Sequence, residues 1–185
     1  MNNKLTLAPE LEVTDWLNRD APLKLSELRG KVVVLHAFQM LCPGCVIHGI
    51  PQATLIHELY NNNEVQVIGL HSVFEHHAVM NKDALSVFVN EYRLQFPIAI
   101  DKPTTGKDIP VTMEKYQLRG TPSLVLIDQD GNIRLNHFGR LNDMQVGNYI
   151  GRLLSTGSNI NDINRNNSSK GGPEIGKYDT NGCII

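Results

Sequence analysis

The chain of 185 residues contains only three cysteines, Cys42, Cys45 and Cys183. Three thiols are too few for the disulfide framework of a small secreted protein, and a chain of this length can bury a sizeable core without one. The sequence therefore excludes a disulfide-rich scaffold. Because two of the three cysteines share one short motif, the sequence points instead to a chemical role for those two thiols.

The sequence also lacks an excess of charge of either sign and lacks long apolar runs. It has 17 Lys and Arg against 19 Asp and Glu, a formal net charge of −2. Because the net charge is small, we expect no nucleic acid as a partner. We also expect no membrane as a partner, since no apolar stretch approaches the roughly 20 residues that span a bilayer. Residues 1–7 lack the apolar region of a secretory signal, so we expect a cytoplasmic protein if Met1 is the native first residue.

What the sequence does contain is the motif Cys42-Pro43-Gly44-Cys45, between an apolar run and a segment with helical spacing. Two cysteines three residues apart at a helix start can reach one substrate sulfur and can also form a disulfide with each other. Free N–H groups and the partial positive charge at a helix N-terminus favour the nucleophilic thiolate. The motif predicts a redox site with both sulfurs open to solvent, Cys42, the first and more exposed cysteine, as nucleophile and Cys45 as resolving thiol.

Hydrophobic periodicity places strands and helices in alternation. Residues 32–35 and 65–70 are apolar at odd and even positions, which is typical of strands covered on both faces. Residues 46–60 and 82–92 are apolar at every third or fourth position, which predicts helices, the first of them kinked at Pro51. The other expected elements are short extended pieces over 4–25, a strand over 96–100, a short helix over 111–116, a hairpin over 123–138 and a final helix over 142–154.

This order predicts an α/β fold with a central mixed β-sheet flanked by helices and an extended N-terminal addition. The first two core strands form a parallel βαβ unit, and the later hairpin is antiparallel. We expect one domain over residues 1–155. Residues 156–185 are rich in Asn, Ser, Gly and Asp, which predicts a flexible polar tail.

Four segments in this order resemble the thioredoxin-fold redoxins, particularly the TlpA-like and AhpC/TSA-like group. Residues 25–35 are similar to the approach to that group's first core strand, residues 42–45 to its CxxC, residues 119–123 to its cis-proline turn and residues 128–133 to its final hairpin. The resemblance covers residues 5–155. It implies a thioredoxin-like fold, a thiol–disulfide oxidoreductase without a cofactor, a protein or small-molecule disulfide as substrate and a dithiol as electron donor. In the cytoplasm, reduction of the substrate is the expected direction.

The resemblance also implies how the substrate is held. The bond between Thr121 and Pro122 is expected to be cis, an arrangement that presents the backbone of Thr121 to an extended substrate as if to an added strand. Pro43 and Gly44 are expected to contact the same substrate. Pro122 is expected to keep metal ions away from the thiols.

Three further side chains have open assignments. His36 stands six residues before Cys42, where the family often has Asp, Asn or Glu; it is either a relay for the proton of Cys45 or a hydrogen-bonded core histidine. Glu75 follows the second strand, where some TlpA-like reductases have an acidic residue; it is either a proton acceptor or a solvated loop residue. His71 ends that strand and either points towards the site or packs in the core.

Rival interpretations of the cysteine pair remain. A peroxiredoxin-like peroxidase is disfavoured, because Leu35 and Gln39 stand where the peroxiredoxin signature has Pro and Thr. A non-catalytic module is the other rival, either a metal carrier or an adaptor. Zinc needs about four ligands. His48 could join the cysteine pair, but the sequence offers no second CxxC to complete the set, so we expect no metal site. Cys183 is either an additional resolving thiol or a free tail cysteine.

Overall fold

The structure, a computed structural model, describes residues 6–60 and 62–157. Within these residues the strands are β1 (Thr6–Leu7), β2 (Val13–Leu17), β3 (Val32–Phe38), β4 (Val65–His71), β5 (Ile98–Asp101), β6 (Ser123–Ile127) and β7 (Asn132–Phe138). The helices are α1 (Ile50–Leu59), α2 (Lys82–Glu91), α3 (Val111–Lys115) and α4 (Asp143–Gly157), with a 3-10 helix at Leu25–Leu28 and a π-helical turn at Cys45–Gly49.

The strands form one mixed sheet in the order β1-β7-β6-β3-β4-β5-β2. The central strand β3 pairs in parallel with β4 and antiparallel with β6. All seven residues of β3 are buried because helices cover both faces of the sheet. The predicted α/β architecture is therefore confirmed, together with the parallel βαβ unit and the antiparallel β6–β7 hairpin.

Two apolar clusters lie on opposite faces of the sheet. Alternate residues of β3, beginning with Val32, pack with side chains of α1, α2 and α4, and Cys45 belongs to this cluster. The other residues of β3, beginning with Val33, pack with the 3-10 helix and with Met113 and Tyr116, in and directly after α3. The period-two alternation of a strand thus distributes one apolar run between two cores.

The helix boundaries have local causes. The Asn81 side chain accepts a hydrogen bond from the Ala84 N–H at 3.0 Å and caps α2. The Asn142 side chain accepts from the Met144 N–H at 2.9 Å and caps the start of α4. Directly before Pro51, the helix takes the form of a π-helical turn and becomes α-helical at Ile50. Since proline has no N–H to donate, the departure from regular α-helix falls where the sequence predicts a kink.

Two predicted boundaries are wrong. The predicted strand over 96–100 is β5, displaced towards Asp101, because the Asn18 amide donates to the carbonyls of Leu94 and Phe96 and occupies this backbone. The final helix predicted over 142–154 is α4 and runs on to Gly157, where the Thr156 hydroxyl donates to carbonyls of the preceding turn. The domain bounds of 1–155 stay a prediction. The remainder of the predicted tail, with Cys183, lies outside the described residues. None of the described helices has both the length and the apolar character needed to cross a bilayer.

Candidate active site

The two motif cysteines lie side by side where the chain leaves β3. The Cys42 N–H donates to the Gln39 carbonyl at 3.1 Å, which turns the chain out of the strand. The Cys45 N–H lies 3.2 Å from Cys42 Sγ, and the two sulfurs are 2.6 Å apart. A disulfide of about 2.05 Å can form between them with little movement of the backbone.

The two thiols differ in exposure. Cys42 is half-buried, whereas Cys45 has no exposed surface. The expectation that both sulfurs are open to solvent is therefore wrong for Cys45, because the π-helical turn packs its side chain into the core. Burial, with the hydrogen bond to Cys42 next in size, raises the pKa of the Cys45 thiol to about 12.

The turn before β6 faces the cysteine pair. The Thr121–Pro122 peptide bond is cis, as the resemblance implies. Because β6 pairs with β3, the turn lies beside the residues that follow β3, and the Cys42 thiol lies 3.5 Å from the Thr121 carbonyl. A Cβ on Gly44 would lie 3.3 Å from Pro122 Cδ, so the small residue permits the close approach of the motif to the turn.

An open cavity adjoins Cys42 and Thr121. Its wall also includes Glu75, which is exposed, and Gln39, which is 1% exposed. The structure thus brings Glu75 to the edge of the site, and its exposure fits the solvated alternative. Glu75 as proton acceptor stays a prediction.

A second cavity lies on the Pro122 side of the same turn. His36 lines it, and its Nε2–H donates to Gln52 Oε1 at 3.3 Å. The Gln52 amide in turn donates to the Leu141 carbonyl at 2.9 Å and to Asp143 Oδ1 at 2.6 Å. This arrangement ties β3, α1 and the start of α4 together around the cis-proline turn.

The environment of His36 favours a neutral ring. Burial lowers its pKa to about 4, against a smaller opposing effect of the hydrogen bond to Gln52. A ring this weakly basic is a poor acceptor for a proton from Cys45. The hydrogen-bonded alternative is what the contacts support, and the relay role stays a prediction.

His71 packs in the core. Its ring centroid lies 5.3 Å from that of Phe38, and burial lowers its pKa to about 4. Among residues 6–60 and 62–157, no three His, Cys, Asp or Glu side chains converge to hold a metal ion. His48 lines the cavity that also contains His36.

Sequence reasoning gave no role in the site to Gln52 or Asp143 and treated Gln39 only as a departure from a signature. A polar residue between the buried Ile50 and Ala53 of an otherwise apolar helix face was the available signal for Gln52. Asp143 is 91 residues further along the chain and carries no such signal, because only the packing of α4 brings it close.

Comparisons with known proteins agree with this geometry. The family model described as Redoxin matches residues 4–149. The thiol-disulfide oxidoreductase ResA of Bacillus thuringiensis (strain Al Hakam) is 32% identical over 146 residues, which are 79% of this chain and 76% of that protein.

Solved structures are similar as well. A thiol-disulfide isomerase from Corynebacterium glutamicum has 52% sequence identity and a TM-score of 0.79, over 83% of this chain and 98% of that one. A thioredoxin-like superfamily protein has 48% identity and a TM-score of 0.79, over 80% of this chain and 96% of that one. The implied thioredoxin-like fold is confirmed.

Proposed function

The chain belongs to the redoxin family and is a thiol–disulfide oxidoreductase, and on that premise we propose that Cys42 and Cys45 are its reactive dithiol. One observation carries the assignment. The two sulfurs lie 2.6 Å apart beside the cis-proline turn, and only the first of them has exposed surface. That arrangement suits a nucleophile that meets a partner and a resolving thiol that meets only the nucleophile.

The reaction then has two exchange steps. The Cys42 thiolate attacks one sulfur of the substrate disulfide, forms a mixed disulfide and releases the other substrate sulfur as a thiolate. The Cys45 thiolate attacks the Cys42 sulfur of the mixed disulfide, releases the second substrate thiolate and leaves the Cys42–Cys45 disulfide. A dithiol donor reduces that disulfide in the same two steps and is itself oxidised.

The environment of Cys45 supports this order of events. Apart from burial, the hydrogen bond and charge of Cys42 contribute to the raised pKa of Cys45. Once Cys42 is part of a mixed disulfide, it carries no charge, and the contributions of its thiol and thiolate to that raised pKa disappear. The resolving thiol therefore becomes more acidic at the stage at which its thiolate is required.

The neighbouring loops form the proposed substrate contacts. Thr121 presents its backbone beside Cys42 for strand-like pairing with an extended segment, and Pro122 packs behind it. Pro43 is exposed and Gly44 is partly exposed, so both can touch the same segment. The oxidoreductase reaction requires a disulfide substrate and a reductant.

The finer assignments remain proposals: a protein or small-molecule disulfide as substrate, reduction as the direction, and the cytoplasm as the location. The peroxidase alternative gains no support, because the Gln39 side chain has no hydroxyl where the peroxiredoxin signature requires one.

Reduction of insulin disulfides with dithiothreitol as donor tests the proposed function. We expect turnover by the wild-type chain and loss of turnover to background in Cys42→Ser, because serine is not a competent nucleophile for exchange. Undiminished activity in Cys42→Ser would contradict the assignment. Stoichiometric copper or zinc in the reduced protein, lost in Cys45→Ala, would favour a metal carrier instead.

A further inference from the structure

The cavity beside Cys42 has an apolar wall that the exchange reaction does not use. Its volume of about 440 Å³ falls within the roughly 300–1,000 Å³ of sites that bind small molecules. The apolar side chains of the wall are Leu41, Pro43, Phe74, Val79 and Met80. Leu41 and Val79 are 58% and 57% exposed, so a molecule in the cavity can touch both of them.

The loop between β4 and α2 supplies three of these side chains and is held at both ends. Phe74 packs against the apolar cluster that contains the 3-10 helix. In the turn that follows, the His76 carbonyl accepts hydrogen bonds from the N–H groups of Val79 and Met80, at 3.1 and 3.3 Å. Met80 is 4% exposed within the other apolar cluster and directly precedes Asn81, the cap of α2. The wall is therefore a preformed surface, because both of its ends are anchored in a core.

The exchange reaction determines what enters this cavity. Cys42 forms a covalent bond with one substrate sulfur, and Cys42 is itself part of the cavity wall. The half-cystine that carries the attacked sulfur therefore lies at the cavity. An acidic side chain there would meet the exposed carboxylate of Glu75, and the described wall residues include no Lys or Arg to offset it. An apolar side chain would remove apolar surface from water on both partners, which favours binding.

The proposed strand-like pairing with Thr121 decides which substrate side chain faces the cavity. In an extended segment, residues two apart point to the same face and lie about 6–7 Å apart along the chain. The half-cystine points towards Cys42, so the residues two positions before and after it face the same side. The residues directly next to the half-cystine point to the opposite face.

We propose that this cavity is a specificity subsite for an apolar side chain two residues from the half-cystine of the substrate, and that Leu41 and Val79 determine the preference. The substrate class is then a peptide or protein disulfide with an aliphatic residue at that spacing. This inference rests on the proposed function, and it adds a side-chain contact to the backbone pairing at Thr121.

Two peptide disulfides of identical composition test the inference. Both are homodimers of an acetylated and amidated heptapeptide. Lys-Leu-Ser-Cys-Ser-Leu-Lys has leucine two residues from the cysteine, and Lys-Ser-Leu-Cys-Leu-Ser-Lys has leucine directly next to it. The parent protein carries Cys183→Ser, so that only the motif thiols react.

The measured quantity is the rate constant for reaction of each peptide disulfide with the pre-reduced protein, from the peptide thiol released in acid-quenched samples. Each rate constant is divided by that of dithiothreitol with the same peptide, which corrects for the intrinsic reactivity of the disulfide. We expect the parent protein to favour the first peptide about 10-fold after this correction.

Val79→Thr and Leu41→Asn are the test variants. Threonine keeps the shape of valine and replaces one methyl group by a hydroxyl group, and asparagine is close to leucine in size. We expect each variant to lower the corrected ratio about 3- to 10-fold. Both side chains are more than half exposed, so the fold does not depend on them. A change in the reactivity of Cys42 cancels in the ratio, because both peptides react with the same thiol.

Val87→Thr is the matched control. Val87 is 61% exposed on α2 and is not part of the cavity wall. We expect its corrected ratio to equal that of the parent protein.

The outcomes separate the two proposals. If the parent protein reduces neither peptide disulfide, the proposed function fails and the inference fails with it. If it reduces both without preferring the first, or if the Val79 and Leu41 variants keep the parent ratio, the inference alone is overturned. An equal fall of the ratio in Val87→Thr would also overturn it.

Discussion

Two buried glutamines on either side of the Thr121–Pro122 turn have opposite environments. Gln52 is 8% exposed, and its side chain bonds to His36, Leu141 and Asp143. Gln39 is 1% exposed, and its side chain has no partner among the described residues. We call the region of Gln52 the closed side of the turn and the region of Gln39, with Cys42, the open side.

The closed side supports the site, and the open side is where the reaction takes place. On the closed side, polar groups satisfy one another and hold a strand, a helix and the start of α4 in a fixed relation. On the open side, a half-buried thiol and exposed apolar side chains line one cavity, and the Gln39 amide is buried beside them without a partner among the described residues. A site that exchanges partners needs accessible groups on one side and a rigid backing on the other.

The largest expected effect is on the open side. Cys45→Ala removes the resolving thiol, so the mixed disulfide between Cys42 and the substrate cannot be resolved internally. We expect turnover of the disulfide substrate to fall to background. A covalent adduct with one equivalent of a disulfide-containing peptide substrate accumulates instead, and intact-protein mass spectrometry without reductant measures it. Cys42→Ser is the control and is expected to form no adduct within residues 42–45, which peptide mapping distinguishes from an adduct at Cys183. Equal adduct formation in both variants would contradict the assigned order of attack.

The next effect concerns protonation on the closed side. The pKa of His36 is lowered by burial to about 4, below the value of about 6.5 in the unfolded chain. The unfolded state therefore binds the proton first, so the stability that depends on a neutral ring is fully present above pH 6.5 and is lost as the pH falls towards 4.

The magnitude of this effect is of order 3 kcal/mol. Urea denaturation at pH 7 and at pH 4 gives the free energy of unfolding at each pH. Between these two pH values, we expect the free energy of unfolding of His36→Gln to fall less than that of the wild type, by about this amount. His71→Phe supplies a parallel measurement, because burial lowers the pKa of His71 in the same direction. An unchanged pH dependence in His36→Gln would show that the ring is not held neutral.

A smaller effect compares the two glutamines directly. Gln52→Met leaves the His36 ring and the Leu141 carbonyl without their partner, and we expect a loss of about 1–3 kcal/mol of unfolding free energy. Gln39→Met removes an amide that has no partner to lose, so we expect no loss or a small gain. Urea denaturation at pH 7 measures both. Equal destabilisation by the two substitutions would remove the distinction between the two sides.

An effect of similar size tests the packing of the closed side. A Cβ on Gly49 would lie 3.1 Å from Pro122 Cβ and 3.2 Å from His36 Cε1, so Gly49→Ala forces these groups apart and is expected to cost about 1–3 kcal/mol. Gly147→Ala is the control, because a Cβ at that position of α4 meets nothing within 4 Å. It should gain roughly 0.5–1 kcal/mol from helix propensity. Thermal denaturation distinguishes a loss in the first variant from a gain in the second.

Much of the fold was predictable because local patterns decide it. The apolar runs of β3 and β4 require cover on both faces, and the Asp-Gly turn requires a hairpin. Boundaries were less predictable where a distant side chain intervenes, as Asn18 does at residues 94–96. The cysteine pair and the cis-proline turn were recognisable from motifs. The contact between Gln52 and Asp143 was not, since a contact across 91 residues leaves no periodic trace.

The sequence by itself determined the order of strands and helices, the spacing of the two thiols and the turn that faces them, since each depends on neighbouring residues. Only the tertiary structure decided that Cys45 has no exposed surface, which histidine stays neutral and which glutamine lacks a partner. These properties depend on burial and on the hydrogen-bond partners within reach, and the packing of distant segments sets both.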